Sequence, residues 1–434
     1  MKKKIYVLTC GLLCASCSIT NFFTPKATIL KEPNAFRSSI KRGESFNELA
    51  QNIRDFSANF AFESAKKLDD KEKNNVVSPL SMFSALAVAS ACSNGNTKQQ
   101  LLNTLCTNED LLVSEFANLY SASNYSRSLD SDRKVIKKEE LTNSIWIDKN
   151  VKFKSEMLDF IADKFFSYSV SVDWRNDNKK ANKQMSKFVE EKTNGLISPN
   201  FDFDIDTLFT ILNTLYLKSL WNSFSDELPS SNEQFEFKNR NDSTKKTELL
   251  VTPYQQGRIL RNTSYSSFFA ETCSNDRIKF VVPNDGFKLE DIISAENISE
   301  INDAMYEGFD EENNTMYYGK TYFPGFESES KLDAKEILKT MGIIDLFADG
   351  VCDFSGLTNE SVYCDEVQHV AKLKVDKKGI EGAAYTAIAM KGDSAPMKPE
   401  YKEVFEDFFV DKSFYFVVSD HNNLPLFSGI VNKI

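Results

Sequence analysis

The chain has 434 residues, 41% of them hydrophobic and 12% aromatic, enough to bury a large core in one domain or two. A formal net charge of -11 with 26% charged residues argues against a general nucleic-acid binder, which runs on clustered Lys and Arg. With 2 histidines and, beyond the first 17 residues, no cysteine pair at zinc-ligand spacing, no metal site is expected.

The N-terminus, MKKKIYVLTCGLLCASCSIT, places lysines before an apolar run from Ile5 to about Ala15 and then small residues. That is the pattern of a secretory signal, too short to span a membrane comfortably. Cys14-Ala15-Ser16-Cys17 resembles a bacterial lipoprotein box, with Cys17 as the lipidated residue and Cys14 where Leu is usual. The expectation for residues 1–17 is a signal peptide ending at that box, with plain secretion as the alternative. Residues 18–44 carry Pro25, Pro33 and Gly43 without periodicity and read as a tether.

From Phe46 the pattern turns helical, with Leu49, Ile53, Phe56, Phe60, Phe62 and Ala65 on one stripe. SPLSMFSALAVASACSNG predicts a buried helix capped by Ser78, opened by Pro79 and ended at Gly95. TKQQLLNTL restarts a short helix. Arg127, Arg133, Lys134, Lys137 and Lys138 form a mixed patch with Asp130, Asp132, Glu139 and Glu140, read as a solvated helix face or loop rather than a polyanion site. LTNSIWID and SVSVDW alternate as strands, whereas SEMLDFIADKFF and ANKQMSKFVEEKTNGLI are helical. TLFTILNTLYLKSLW predicts a central strand buried on both faces. RIKFVVP, TMYYGKTYFPGF, VQHVAKLKV, SFYFVVSD and LPLFSGIVN are further strands. No repeat and no long interior linker divides the chain, so residues 45–434 form one α+β domain.

Cys92, Cys106, Cys273, Cys352 and Cys364 follow the signal. An exported protein can pair cysteines, and Cys92 with Cys106 and Cys352 with Cys364 are the neighbours in sequence; their surroundings also suit core positions. The catalytic inventory is poor. His369 lies inside a strand and His421 in the turn DHNNLP. There is no Gly-x-Ser-x-Gly elbow, glycine-rich phosphate loop or HExxH. Neither an enzyme nor a cofactor is expected.

Several stretches, in order from residue 46 to the end, resemble the serpins, inhibitors of serine and some cysteine proteases. NNVVSPLSMFSALAVASACSNGNTKQQLLNTL is similar to the family's second-helix signature. TILNTLYLKSLWNSF resembles its central strand, with Asn213 and Trp221 in place. YFPGFESESKLDAKEILKTMGIIDLF, DFSGL, VQHVAKLKVDKKGIEGAAYTA and LPLFSGIVN resemble later landmarks. The chain is identified as a bacterial, lipoprotein-like member. The resemblance implies helices clustered around a large central β-sheet and two smaller sheets, with an exposed reactive loop at about residues 379–403. It also implies a shutter of Ser78, Ser81, Asn213 and His369 beneath the sheet, Trp221 where the loop first enters, and a monomer whose partner is a serine or cysteine protease, trapped covalently.

The loop, KKGIEGAAYTAIAMKGDSAPMKPEYKE, has the chemistry of a strand held in reserve. Read with period two, Ile380, Gly382, Ala384, Thr386, Ile388 and Met390 share one face, suited to a core. Glu381, Ala383, Tyr385, Ala387, Ala389 and Lys391 share the other, which carries both charges. Proline, which an inserting strand cannot hold, appears only at Pro396 and Pro399. Counting along the family pattern from Gly379 places the reactive bond at Asp393-Ser394, with bonds after Lys391 or Met390 as alternatives. Ile380 stands where the family has Thr, Tyr385 where it has Ala, and Lys377 and Lys378 where it has glutamates. These departures are compatible with an inhibitor; the runner-up is a serpin-fold binding or storage protein that cannot insert its loop.

Overall fold

The computed structural model describes residues 27–33, 43–129, 134–222, 227–364, 366–380 and 401–434. The signal segment and Cys17 lie outside them.

β1 (Thr28–Lys31) belongs to the stretch read as a tether, yet pairs with the main sheet. α1 (Glu44–Lys67) buries Leu49, Ile53, Phe56 and Phe60, as its apolar stripe requires. β2 (Asn75–Val77) leads to α2 (Pro79–Cys92), which is buried almost all round. The Ser78 side chain accepts from the Ser81 N–H to cap it, and Pro79 sits at the first turn, where its missing donor costs nothing. Gly95 does not end this helix: with φ 54° it opens the next, α3 (Gly95–Thr104). α4 (Glu109–Ala122) is capped by Asn108.

β3 (Asn124–Leu129) and β4 (Lys134–Asp148) form a hairpin where a solvated helix or loop was expected. Period two explains the difference. It turns Lys137 and Glu139 inward, both fully buried, and leaves Lys138 and Glu140 partly exposed. α5 (Ser155–Lys164), β5 (Ser167–Val172) and α6 (Trp174–Lys192) follow the sequence expectation. β6 (Phe209–Leu220) is a central strand but is not buried on both faces throughout: Phe209, Ile211, Asn213 and Lys218 are half-buried.

The middle of the chain holds the hairpin β7 (Phe235–Lys238) with β8 (Thr244–Thr247), then the short β9 (Leu250–Val251), β10 (Gln255–Gln256) and β11 (Leu260–Arg261). β12 (Tyr265–Glu271), β13 (Arg277–Pro283), α7 (Leu289–Ile292), α8 (Ala295–Asp303) and β14 (Phe309–Asp310) come next. β15 (Thr315–Phe323), β16 (Phe326–Asp333), α9 (Lys335–Thr340), β17 (Gln368–Val375) and β18 (Gly379–Ile380) lead to the loop, and β19 (Lys402–Phe409), β20 (Phe414–Ser419) and β21 (Pro425–Val431) close the chain.

The main sheet runs β1-β5-β4-β6-β18-β17-β16, with β3 added to β4. A second sheet gathers β9, β10, β14 and β19 around β15, and a third runs β11-β12-β13-β20-β21-β2. β16 and β17 alternate strictly: Phe326, Ser328, Ser330 and Leu332 face inward, as do His369, Ala371, Leu373 and Val375. One large apolar cluster joins α1 and α2 to the inner faces of the sheets, as a single domain requires. No disulfide joins Cys92, Cys106, Cys273, Cys352 or Cys364, so the two candidate pairs are not formed: Cys92 is buried at the end of α2 and Cys106 is exposed after α3. Among the described residues no helix is long and apolar enough to cross a membrane.

A Cβ on Gly429 would stand 2.1 Å from the Asn75 carbonyl oxygen, where β21 passes β2. Gly429→Ala should therefore force the two strands apart and lower stability by about 1–3 kcal/mol, read as a lower urea midpoint at unchanged slope.

Candidate functional site: an opening in the main sheet

β6 and β17 make no ladder with each other among the described residues. β6 pairs with β4 along one edge, and β17 with β16. Their facing edges meet only through β18, where Gly379 opposes Leu220, Ile380 opposes Ser219, and Ile380 turns back against Val375. Below β18 lies a narrow cleft of about 30 Å³, partly open to solvent, with Leu212 and Asn213 on one side, Gln368 and His369 on the other, and Ser81 beneath. The buried Thr214 Oγ1 and Gln368 Oε1 on its walls find no hydrogen-bond partner among the described residues. An opening with bare strand edges and orphaned polar atoms is a place for another strand.

The floor is a chain of hydrogen bonds. The Ser78 N–H donates to His369 Nε2 at 3.0 Å, and Ser78 Oγ donates to the Leu426 carbonyl at 2.8 Å. Ser81 Oγ donates to Asn213 Oδ1, and Asn213 Nδ2 to Asn143 Oδ1, both at 2.5 Å. Ser84 Oγ also reaches Asn143 Oδ1, at 2.8 Å, and Asn143 Nδ2 donates to the Phe165 carbonyl at 3.0 Å. These bonds tie α2 to β6, β4 and β17 at one level. His369 accepts at Nε2 and is therefore neutral; burial holds its pKa down to about 4. Phe60 meets the His369 ring edge-on at 5.7 Å.

At the top of the opening the turn into β18 is fixed from several sides. The Asp376 N–H donates to the Gly379 carbonyl at 3.1 Å, and the Lys378 N–H to Asp376 Oδ1 at 2.8 Å. Trp221 Nε1 donates to the Asp376 carbonyl at 2.6 Å, and its ring packs edge-on against Phe323 at 5.5 Å. A Cβ on Gly379 would fall 2.3 Å from the Ser219 carbonyl oxygen, so only glycine lets β18 lie against β6. Ile380 is 1% exposed, its side chain in the core. Lys377, one of the two lysines that depart from the family pattern, pairs with Glu227 at 2.5 Å, and the Lys378 ammonium lies 4.0 Å from the same carboxylate.

Ser78, Ser81, Asn213 and His369 thus lie together on the floor and walls of the cleft, and Trp221 joins Gly379 and Ile380 at the upper end. Asn143, Ser84 and Glu227 were not singled out from the sequence. Asn143 faces Asn213 across the β4–β6 ladder, a pairing visible only once the register is known. Gly379 and Ile380, expected at the start of an exposed loop, are strand residues, because glycine fits against Ser219 and isoleucine finds a pocket; Lys402 and Glu403 belong to β19. Glu381, Gly382, Ala383, Ala384, Tyr385, Thr386, Met390, Lys391, Asp393 and Ser394 lie outside the described residues.

Residues 55–434 match the family described as Serpin (serine protease inhibitor). The chain belongs to the serpin family. A serpin-like protein of Methanosarcina acetivorans is 24% identical over 379 residues, covering 86% of this chain and 84% of its own. Human Serpin B4 is 28% identical over 382 residues, covering 83% and 93%. The native-state structure of the thermophilic serpin tengpin superposes with a TM-score of 0.73 at 20% identity, over 94% of this chain and all of that one, and so shares the fold. Serpins are typically protease inhibitors rather than enzymes, and they are typically secreted or extracellular.

In this serpin the neutral His369 has a stability consequence. Its folded pKa, about 4, lies below the ordinary 6.5, so the unfolded chain binds the proton more readily. The contribution is complete above pH 6.5 and is lost as pH falls toward 4, on the order of 3 kcal/mol over that window. Comparing urea midpoints of the parent and His369→Asn across pH 4–7 should isolate this slope. Equal slopes in both proteins would show that His369 does not carry it.

Proposed function

We propose that this serpin is a protease inhibitor acting as a suicide substrate for a serine or cysteine protease. What carries the reading is the parted pair β6 and β17, with β18 already between them and Ile380 buried. That arrangement supports β18 as the start of a strand insertion, and the residues after it hold no proline before Pro396.

The protease nucleophile would attack the carbonyl carbon of Asp393, the bond to Ser394 would break, and the new amine would leave with a proton from the protease's general acid. Cleavage separates the two anchors of the loop, β18 in the main sheet and β19 in the second. The freed segment would then continue β18 as a full strand, the mode of strand addition that serpins use. Roughly 15 residues at about 3.3 Å each would carry the acylated protease some 50 Å. A misplacement of about 1 Å in a catalytic group can cost on the order of 100-fold in rate, so deacylation would stall. The alternatives after Lys391 and Met390 would suit trypsin-like and elastase- or subtilisin-like proteases respectively. The export signal and the Cys17 box support an envelope protein held to a membrane by lipid at Cys17, with residues 18–44 as spacer and 45–434 as the inhibitory domain.

With an aspartate-specific protease, trypsin, elastase and subtilisin as probes, at least one should yield a complex that survives boiling in detergent, with mass spectrometry locating the cut within residues 390–394. Cleavage without any covalent complex would favour the binding or storage reading. Ile380→Arg places a charge in the core at the first step, where a buried charge costs several kcal/mol. It should reduce the covalent complex sharply in favour of cleaved product and also lower the melting temperature, because Ile380 is buried before cleavage. Tyr385→Arg, outward in the alternation, should act much more weakly; equal effects would overturn the register. Labelled palmitate should be incorporated and Cys17→Ala should abolish it, while unlabelled parent protein would leave plain secretion.

A further inference from the structure

Directly beneath the point where β18 meets β6 lies a buried cluster of charge. Lys137 and Glu139 on β4 are both fully buried, with Lys137 Nζ 2.9 Å from Glu139 Oε2. The same ammonium donates to Asp276 Oδ1 at 2.5 Å, also fully buried, from the turn between β12 and β13. Asp276 Oδ2 accepts from Ser219 Oγ at 2.6 Å, and Ser219 Oγ lies 2.8 Å from Thr272 Oγ1. Ser219 is the residue of β6 that pairs with Lys137 on one side and Ile380 on the other. The cluster therefore reaches the first inserted residue through one side chain.

Its charges do not balance. Asp420, buried in the turn between β20 and β21, adds its field to Lys137, Glu139 and Asp276. Its own oxygens accept from the N–H groups of Asn422 and Leu424. His421 Nδ1, 3.9 Å from Asp420, is the other titratable group on that turn, and Arg277 is engaged by Glu271 at 2.8 Å. Among the described residues two carboxyl groups thus share one lysine, with the field of a third, Asp420, added to theirs. Asp276 accepts from both Lys137 and Ser219, whereas among the described residues Glu139 has only the Lys137 ammonium beside it, so of the two Glu139 is the less firmly held.

We propose that Glu139 is a proton-held latch at the insertion point: neutral, it lets β4, β6 and β18 close over the cluster; ionised, it repels Asp276 and Asp420 and loosens β6 where the loop enters. The electrostatics agree. Burial pushes Glu139 up to about 8, against the pull of Lys137 and with help from Asp420 and Asp276. Burial also works against the Lys137 charge, but Glu139 and Asp276 outweigh it and its pKa is raised. Burial raises Asp276 as well, with Lys137 and Ser219 drawing it partly back. The closed form thus binds the Glu139 proton more tightly than an opened form in water, and stability of the closed form falls as pH rises from about 4.5 to about 8. The latch rests on the proposed insertion for its biological meaning, but its test needs no protease.

Amide hydrogen exchange of the intact, uncleaved protein, corrected for the intrinsic effect of pH, would follow residues 217–220 at the end of β6. Residues 265–270 of β12 serve as the reference. The opening constant at β6 should rise by up to about tenfold per pH unit between pH 6 and 8 and then level off. In Glu139→Gln it should be flat and low, which separates Glu139 from His421. A flat profile in the parent protein overturns the latch whether or not the variant folds. So does a slope that survives in Glu139→Gln, or one shared equally by β12. Absence of any covalent protease complex would instead count against the inhibitor reading alone.

Discussion

The hydrogen-bonding edges of β6 and β17 are the constraint on which the rest of this molecule turns. A strand edge inside a sheet has donors and acceptors spaced for another strand, and side chains cannot replace a ladder. Here Gly379 and Ile380 satisfy only the upper end. The sheet is held in this state by what surrounds it: β4 on the far side of β6, β16 on the far side of β17, and the hydrogen-bonded floor from α2. The floor joins side chains and leaves the strand edges bare, so it steadies the opening without filling it.

Two buried lysines show how differently the fold handles a charge. Lys137 sits among carboxyl groups and keeps its proton. Lys279 on β13 has no carboxylate at its tip among the described residues; its ammonium donates to the carbonyls of Ile301, Asn302 and Ala304 and to Asn423 Oδ1. It thereby closes the C-terminal end of α8, where carbonyls lack intrahelical partners. Burial draws Lys279 down to about 7, because dipoles compensate a charge less fully than an opposite charge does. The first arrangement is poised at the insertion point and the second simply fastens a helix.

The helices and central strands were legible because their periods are long and clean. The apolar stripe of α1, the cap and proline of α2 and the alternation of β17 each follow from local rules, and the shutter residues came with the family resemblance. The segment around Lys137 was not legible. Its mixed charges look like a wet surface until the strand register sorts them by parity, and the neutralising Asp276 comes from far along the chain. Asn143 was hidden in the same way, as one polar residue in an alternating strand whose partner is set by pairing. The burial of Ile380 was foreseen as inward, but its presence in the sheet before cleavage depends on the fit of Gly379 against a backbone carbonyl.

The third sheet ends with β21 against β2, so that Asn75 pairs with Ile430 and the Ile430 N–H donates to the Asn75 side chain across 355 residues of sequence. Among the described residues β2 has no other neighbour in that sheet. A chain emerging from the ribosome therefore carries β2 with its sheet partner still unmade until β21 has been synthesised. Such late closure makes folding dependent on contacts very distant in sequence. It also means that a truncation removing only β21 would leave β2 without its strand ladder, held only by contacts such as that of the Val76 N–H with Ser330.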